Sequence, residues 1–103
     1  MTNAIPIIFI GLASWFHPYR AMVNGYPVCA SRTIPKGSLV LITERHNGSS
    51  VVCIVDEFGA GHKPTREGVI VDLSPAAFAK LDALELGRAE ITLQILKTKL
   101  NHK

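Results

Sequence analysis

Residues 69–78 read Val-Ile-Val-Asp-Leu-Ser-Pro-Ala-Ala-Phe. Val69-Ile70-Val71 is an unbroken apolar run, as expected of a strand buried on both faces in a closed sheet. Ser74 is a strong helix N-cap and Pro75 suits the first helical position. Ala77, Phe78, Leu81 and Leu84 follow at helical spacing, and Gly87 is placed to end the helix. One carboxylate, Asp72, therefore falls between a buried strand and a helix entry, where burial and polar contacts meet.

Outward from this stretch the chain reads as short β segments separated by turn signals. Ile7 to Phe16 is a first strand in which Gly11 marks a bulge or a close backbone approach. His17 to Pro27 is read as a loop, with Asn24-Gly25 as a turn pair, and Val28 to Ser31 as a short strand. Pro35-Lys36-Gly37 turns into the β-branched strand Ser38 to Thr43. His46-Asn47-Gly48-Ser49 is read as a hairpin whose Asn-Gly pair takes positive φ. Its partner strand runs Ser50 to Phe58 and contains the apolar run Val51 to Val55. Gly59 to Gly68 is a polar loop, and Glu90 to Leu96 alternates as a half-exposed final strand. A run of short strands with a single helix fits a small barrel.

The chain has 103 residues, 48% of them hydrophobic and 18% charged. One globular domain, 1–103, is the expectation, with its core at about 7–97 and a basic tail. Eleven Lys and Arg against eight Asp and Glu give a net charge of +3, and Arg88, Lys97, Lys99 and Lys103 crowd the C-terminal end. That charge leans weakly toward polyanionic partners. Only 7% of residues are aromatic, which leaves little for a long stacking platform, and no nucleic-acid partner is expected. The apolar stretch Ile5 to Phe16 is short, interrupted by Pro6 and Gly11, and lacks a basic flank. It fits neither a membrane span nor a signal peptide. The expectation is a mature domain whose leader was removed, or a protein exported or packaged without one. Cys29 and Cys53 form no C-x-x-C pair, so no metal site is expected. They are expected to lie close together, as a disulfide or as two buried thiols.

Five segments together carry a family resemblance: Gly11-Leu-Ala-Ser-Trp15-Phe16, Asn24-Gly25, Thr33-Ile-Pro-Lys-Gly-Ser38, Asn47-Gly48 followed by Val51-Val52, and Val71-Asp-Leu-Ser-Pro-Ala-Ala-Phe78. In this order they resemble the RlpA-like (rare lipoprotein A-like) proteins, relatives of expansins and family-45 endoglucanases. The resemblance implies an all-β, six-stranded double-psi β-barrel with one or two short helices and a shallow glycan groove. It implies lytic transglycosylase-like cleavage of peptidoglycan glycan strands with Asp72 as general acid and no cofactor. The alternative is a non-catalytic, expansin-like module that holds the wall polymer. The setting implied is the bacterial periplasm or cell envelope, or a phage particle, and assembly into a larger complex or virion is left open.

The family pattern places Asp56 and Glu57 beside Asp72 as further catalytic carboxylates. Trp15, Phe16, Asn24, Ser31 and His62 are the substrate-binding candidates. There are departures. Asp56-Glu57-Phe58-Gly59-Ala60 stands where the family reads Asn-Asp-Arg-Gly-Pro. Ser31 stands where the family has an assisting histidine, and Phe16 where it has a tyrosine. Read without the family, Asp72 could equally cap or ion-pair the helix entry, and Trp15 could be core.

Overall fold

The computed structural model describes residues 6–98, so Ile5 and the tail residues Lys99, His102 and Lys103 lie outside the described residues. Seven strands form: β1 Ile8–Trp15, β2 Met22–Val23, β3 Tyr26–Ala30, β4 Leu39–Glu44, β5 Ser50–Glu57, β6 Val69–Leu73 and β7 Ala89–Lys97. Two short helices join them, α1 His62–Arg66 and α2 Pro75–Ala79, with a 3-10 turn at Leu84–Leu86. The strand order is β2-β3-β5-β4-β7-β1-β6, and β6 returns to pair with β3 through Cys29–Leu73 and Ala30–Asp72. That last pairing closes six strands into a barrel, with β2 hanging outside as a hairpin arm of β3. Two pairings in the ring, β1 with β6 and β3 with β5, are parallel; the rest are antiparallel.

The interior is filled by the inward residues of every strand. Val40, Ile42, Cys53, Val71, Leu73, Ile91 and Leu93 have no exposed surface. Helix α2 adds Ala77 and Phe78 to the same cluster. Ser74 does cap α2, its Oγ accepting from the Ala77 N–H at 3.3 Å. The helix is shorter than its apolar spacing predicts. Leu81 bonds back to Phe78 in a tightened turn, and the Asp82 carboxylate accepts from the next N–H, Ala83, at 3.2 Å. That local bond gives the backbone a non-helical alternative, so Ala83 is extended and Gly87 ends the 3-10 turn rather than α2.

Three other local readings are corrected. The segment 17–27 holds β2 and the start of β3, because Asn24 and Gly25 both take positive φ (52° and 84°) and fold a tight hairpin there. At 47–48 only Gly48 does so, and the connection is a wider one closed by Glu44 and Ser49. The polar loop 59–68 contains α1, with Pro64 in its first turn, where no helical N–H bond is lost. Gly11 does mark a close approach: a Cβ there would lie 2.8 Å from Ile70 Cγ2.

Candidate active site

Asp72 sits in β6, where it is paired on one side with Ser14 of β1 and on the other with Ala30 of β3. Its neighbours Val71 and Leu73 point into the core, so strand alternation turns Asp72 to the outer face of the barrel. The Ser14 hydroxyl donates a hydrogen bond to its carboxylate. Gly59 covers it from a third side: a Cβ on that glycine would lie 3.7 Å from Asp72 Oδ2. The carboxyl is therefore half-buried. Burial pushes its pKa above the ordinary aspartate value, while the Ser14 hydroxyl and the charge of Arg88 hold back part of the rise. Arg88 is itself engaged by Glu67 at 2.6 Å. Asp72 does not cap α2, since Ser74 performs that role.

Asp56 and Glu57 end β5, two strands from Asp72 by way of Ala30, which is paired with Glu57. At the usual strand spacing this is roughly 10 Å of backbone separation. Both carboxylates hold the segment that follows β1. Asp56 ion-pairs with Arg20 at 3.1 Å, and Glu57 accepts the Tyr19 backbone N–H at 2.7 Å. Between them lies an open cleft of about 460 Å³ lined by Tyr19, Arg20, Lys36, Asp56, Glu57 and Phe58. Tyr19 is 97% and Phe58 70% exposed, so the Tyr19 ring stands free at this cleft, while the Arg32 guanidinium, 4.8 Å from the Phe58 centroid, covers one face of that ring.

The remaining candidates separate clearly. Trp15 is packed against the core and its Nε1 donates to the Leu84 carbonyl at 3.0 Å, with His17 edge-on at 5.6 Å. Phe16 is half-buried beside the end of β6, its N–H donating to Leu73. Ser31 is buried, and its Oγ accepts from the Thr33 and Ile34 N–H groups at 3.2 and 3.0 Å. Its hydroxyl braces its own turn. Asn24 occupies the exposed β2–β3 turn and His62 opens α1 in solvent. Cys29 and Cys53 are free thiols, fully buried on adjacent strands. The Cys53 thiol, within hydrogen-bonding reach, and burial together push Cys29 well up.

Residues that the sequence reading missed are Ser14 and Glu44. Glu44 is buried and its carboxylate accepts from the His46 and Asn47 N–H groups, which holds it below the ordinary glutamate value and pins the β4–β5 connection. Among the described residues no group of three or more His, Cys, Asp or Glu is placed to hold a metal ion. No helix among them is long and apolar enough to cross a membrane.

A closed six-stranded ring with two parallel pairings, β1–β6 and β3–β5, defines a double-psi β-barrel. The solved structures agree. The chain superimposes on the expansin of Clavibacter michiganensis, solved as a mutant in complex with cellohexaose, with a TM-score of 0.68 at 16% identity, covering 94% of this chain and 54% of that one. It superimposes on the Streptomyces papain inhibitor with a TM-score of 0.63 at 22% identity, covering 88% and 96%. No family model matches the chain. Sequence comparison narrows the class. The chain is 34% identical over 96 residues to the endolytic peptidoglycan transglycosylase RlpA of Vibrio cholerae, covering 84% of this chain and 35% of that protein. It is 33% identical over 104 residues to the Pseudomonas aeruginosa enzyme of the same name, covering 91% and 29%. This chain belongs to the RlpA-like double-psi β-barrel family. It spans about a third of the length of the curated relatives that it matches.

Proposed function

We propose that this domain cleaves peptidoglycan glycan strands by lytic transglycosylation, with Asp72 as the proton-transfer group. The observation that carries the reading is the half-buried Asp72 carboxyl, raised by burial and held by Ser14 on the outer face of the barrel. A raised carboxyl retains a protonated fraction closer to neutral pH, as a general acid requires. The proton passes to the leaving glycosidic oxygen as the C1–O bond breaks. The carboxylate so formed then takes the proton of the sugar's own 6-hydroxyl as that oxygen closes on C1. The net reaction needs neither water nor a second acid. This suits a site in which Asp56 and Glu57 are already engaged by Arg20 and by the Tyr19 backbone. Those two carboxylates instead shape the cleft wall, where Tyr19, and the face of Phe58 that Arg32 leaves open, offer apolar surface to sugar rings. Because the polymer lies outside the cytoplasm, the domain acts in the cell envelope.

One observation favours a second reading, a module that binds the polymer without cutting it. Ser31, in the place of the family's histidine, is buried and occupied with its own backbone, so no side chain at that position assists Asp72. Digestion of purified sacculi separates the two. Mass spectrometry detecting 1,6-anhydro ends establishes cleavage. Retention on sacculi with no product between about pH 4 and 8 establishes the binding module.

A further inference from the structure

Asp72 is covered by a segment that has little to hold it. Phe58 is 70% exposed, so its ring contributes almost no core packing. Gly59 has no side chain. Yet Ala60 is only 2% exposed, and the backbone at Gly59 lies close enough that a Cβ would stand 3.5 Å from Ala30 Cβ and 3.7 Å from Asp72 Oδ2. One side chain grips the segment on both sides of the glycine. The Arg32 guanidinium lies 4.8 Å over the Phe58 ring, and its Nη1 donates to the Ala60 carbonyl at 3.0 Å. Arg32 is itself fixed at its base. It follows Ser31, whose Oγ accepts the Thr33 and Ile34 N–H groups and so braces the turn from which Arg32 projects.

We propose that Arg32 is a positioning residue for Asp72: it clamps Phe58–Ala60 over the carboxyl and keeps solvent from that side. The chain of contacts runs from the Ser31 turn through Arg32 to Phe58 and Ala60, and from Gly59 to Asp72. A guanidinium suits this task because it is planar, stacks on a ring and keeps its donors in a fixed fork. The proposal rests on the reading of Asp72 as the working group, but the clamp itself is a property of the free protein. The other groups facing Asp72 are few. β1 contributes the Ser14 hydroxyl, and Arg88, already paired with Glu67, contributes a positive charge. The β3 neighbour Ala30 and the covering segment carry no charge.

The sign of the effect separates a clamp from a mere neighbouring charge. Removing a nearby positive charge raises a carboxyl's pKa, whereas admitting water lowers a pKa that burial had raised. The test is the pH titration of the Asp72 side-chain carboxyl by carbon NMR in the free protein, for wild type, Arg32→Met, Arg32→Lys and Phe58→Leu. The clamp predicts that the Asp72 midpoint falls toward the ordinary aspartate value in Arg32→Met. A smaller fall is expected in Arg32→Lys, which keeps the charge and loses the fork. Phe58→Leu should move it the same way with no change of charge. A midpoint that rises or stays put in Arg32→Met overturns the proposal, as does an ordinary midpoint in wild type. Should Arg32→Met fail to fold, Phe58→Leu, at an exposed position, decides alone by the same criterion. The titration needs no substrate, so a protein that never cleaves glycan but shows the fall loses the transglycosylase reading and keeps the clamp. If cleavage is present, the alkaline limb of its pH profile should follow the titration, because Asp72 must begin the reaction protonated.

Discussion

The Ser14 hydroxyl and the Asp72 carboxylate are joined across the parallel pairing of β1 and β6. The bond stabilises the charged form of a group that burial otherwise drives toward neutrality, and the two effects oppose each other on one proton. Ser14→Ala removes the donor and leaves the burial. The Asp72 titration should therefore move further up, and the pH profile of any glycan cleavage should move up with it. An unchanged profile in a folded Ser14→Ala protein would show that the bond has no hold on the working carboxyl.

Asp72→Asn tests the acid itself. The amide keeps the shape of the carboxyl and can still accept from Ser14, but it delivers no proton. General acid–base groups typically contribute about 10²–10⁴-fold, so 1,6-anhydro products should vanish while the fold persists. Stability gives a second readout. Burial raises the folded-state pKa of Asp72, so the folded chain holds that proton more tightly than the unfolded chain does. The stability tied to the proton is full below the unfolded value of about 3.9 and is lost as pH rises through the folded value. The Asn variant has no such loss. Its melting temperature should gain on wild type as pH rises from about 4 to 7; a widening deficit instead would mean that the Asp72 charge stabilises the fold.

Much of the barrel was legible because its signals are local. The Val51–Val55 run, the cap at Ser74 and the Asn24-Gly25 turn each act within a few residues, and the structure contains all three. The extent of α2 was not legible, since its apolar spacing continues to Leu84 while the Asp82 carboxylate and the burial of Leu81 stop the helix earlier. Asp72 could be picked out, as an acid interrupting an apolar strand. Its partners could not. Ser14 is 58 positions away in sequence and meets Asp72 only through a parallel pairing, and Arg32 reaches the site through a segment that reads as plain polar loop. Pairings of that kind have no periodicity to betray them. The family pattern singled out Asp56 and Glu57 without showing that Arg20 and Tyr19 engage them.

Cys29 and Cys53 are fully buried, and Cys29 is pushed well up by Cys53 and by burial. The thiolate is the reactive form, so neither cysteine should react with a disulfide reagent in the native protein at pH 8. Both should react at once in denaturant. A single fast thiol in native protein would contradict this burial, and no free thiol in unreduced, denatured protein would show that the pair had oxidised.

The division of labour among the three carboxylates can be tested together. If Asp56 and Glu57 hold the segment after β1 and Asp72 alone moves the proton, their amide variants should behave differently from Asp72→Asn. The Asp56–Arg20 pair is largely exposed on the arginine side, and pairs of that kind contribute only about 0.2–1 kcal/mol. Asp56→Asn should therefore melt within a few degrees of wild type. Glu57→Gln retains an acceptor for the Tyr19 N–H and should do the same. Both should keep cleavage per folded molecule within roughly tenfold of wild type, well short of the loss expected for a general acid. What should change is retention on sacculi, because Tyr19, Arg20 and Phe58 line the cleft that these carboxylates shape. Measuring sacculus binding at several salt concentrations isolates the effect. The net charge of +3 makes wild-type binding weaken as salt screens exposed charges over about 8 Å at physiological ionic strength. Asp56→Asn removes one negative charge and frees Arg20, so it should strengthen binding at low salt and steepen the decline. If Glu57→Gln instead abolishes product while binding is intact, then a second carboxylate takes part in the chemistry, and the single-acid mechanism gives way to one that uses both ends of the Glu57–Ala30–Asp72 row.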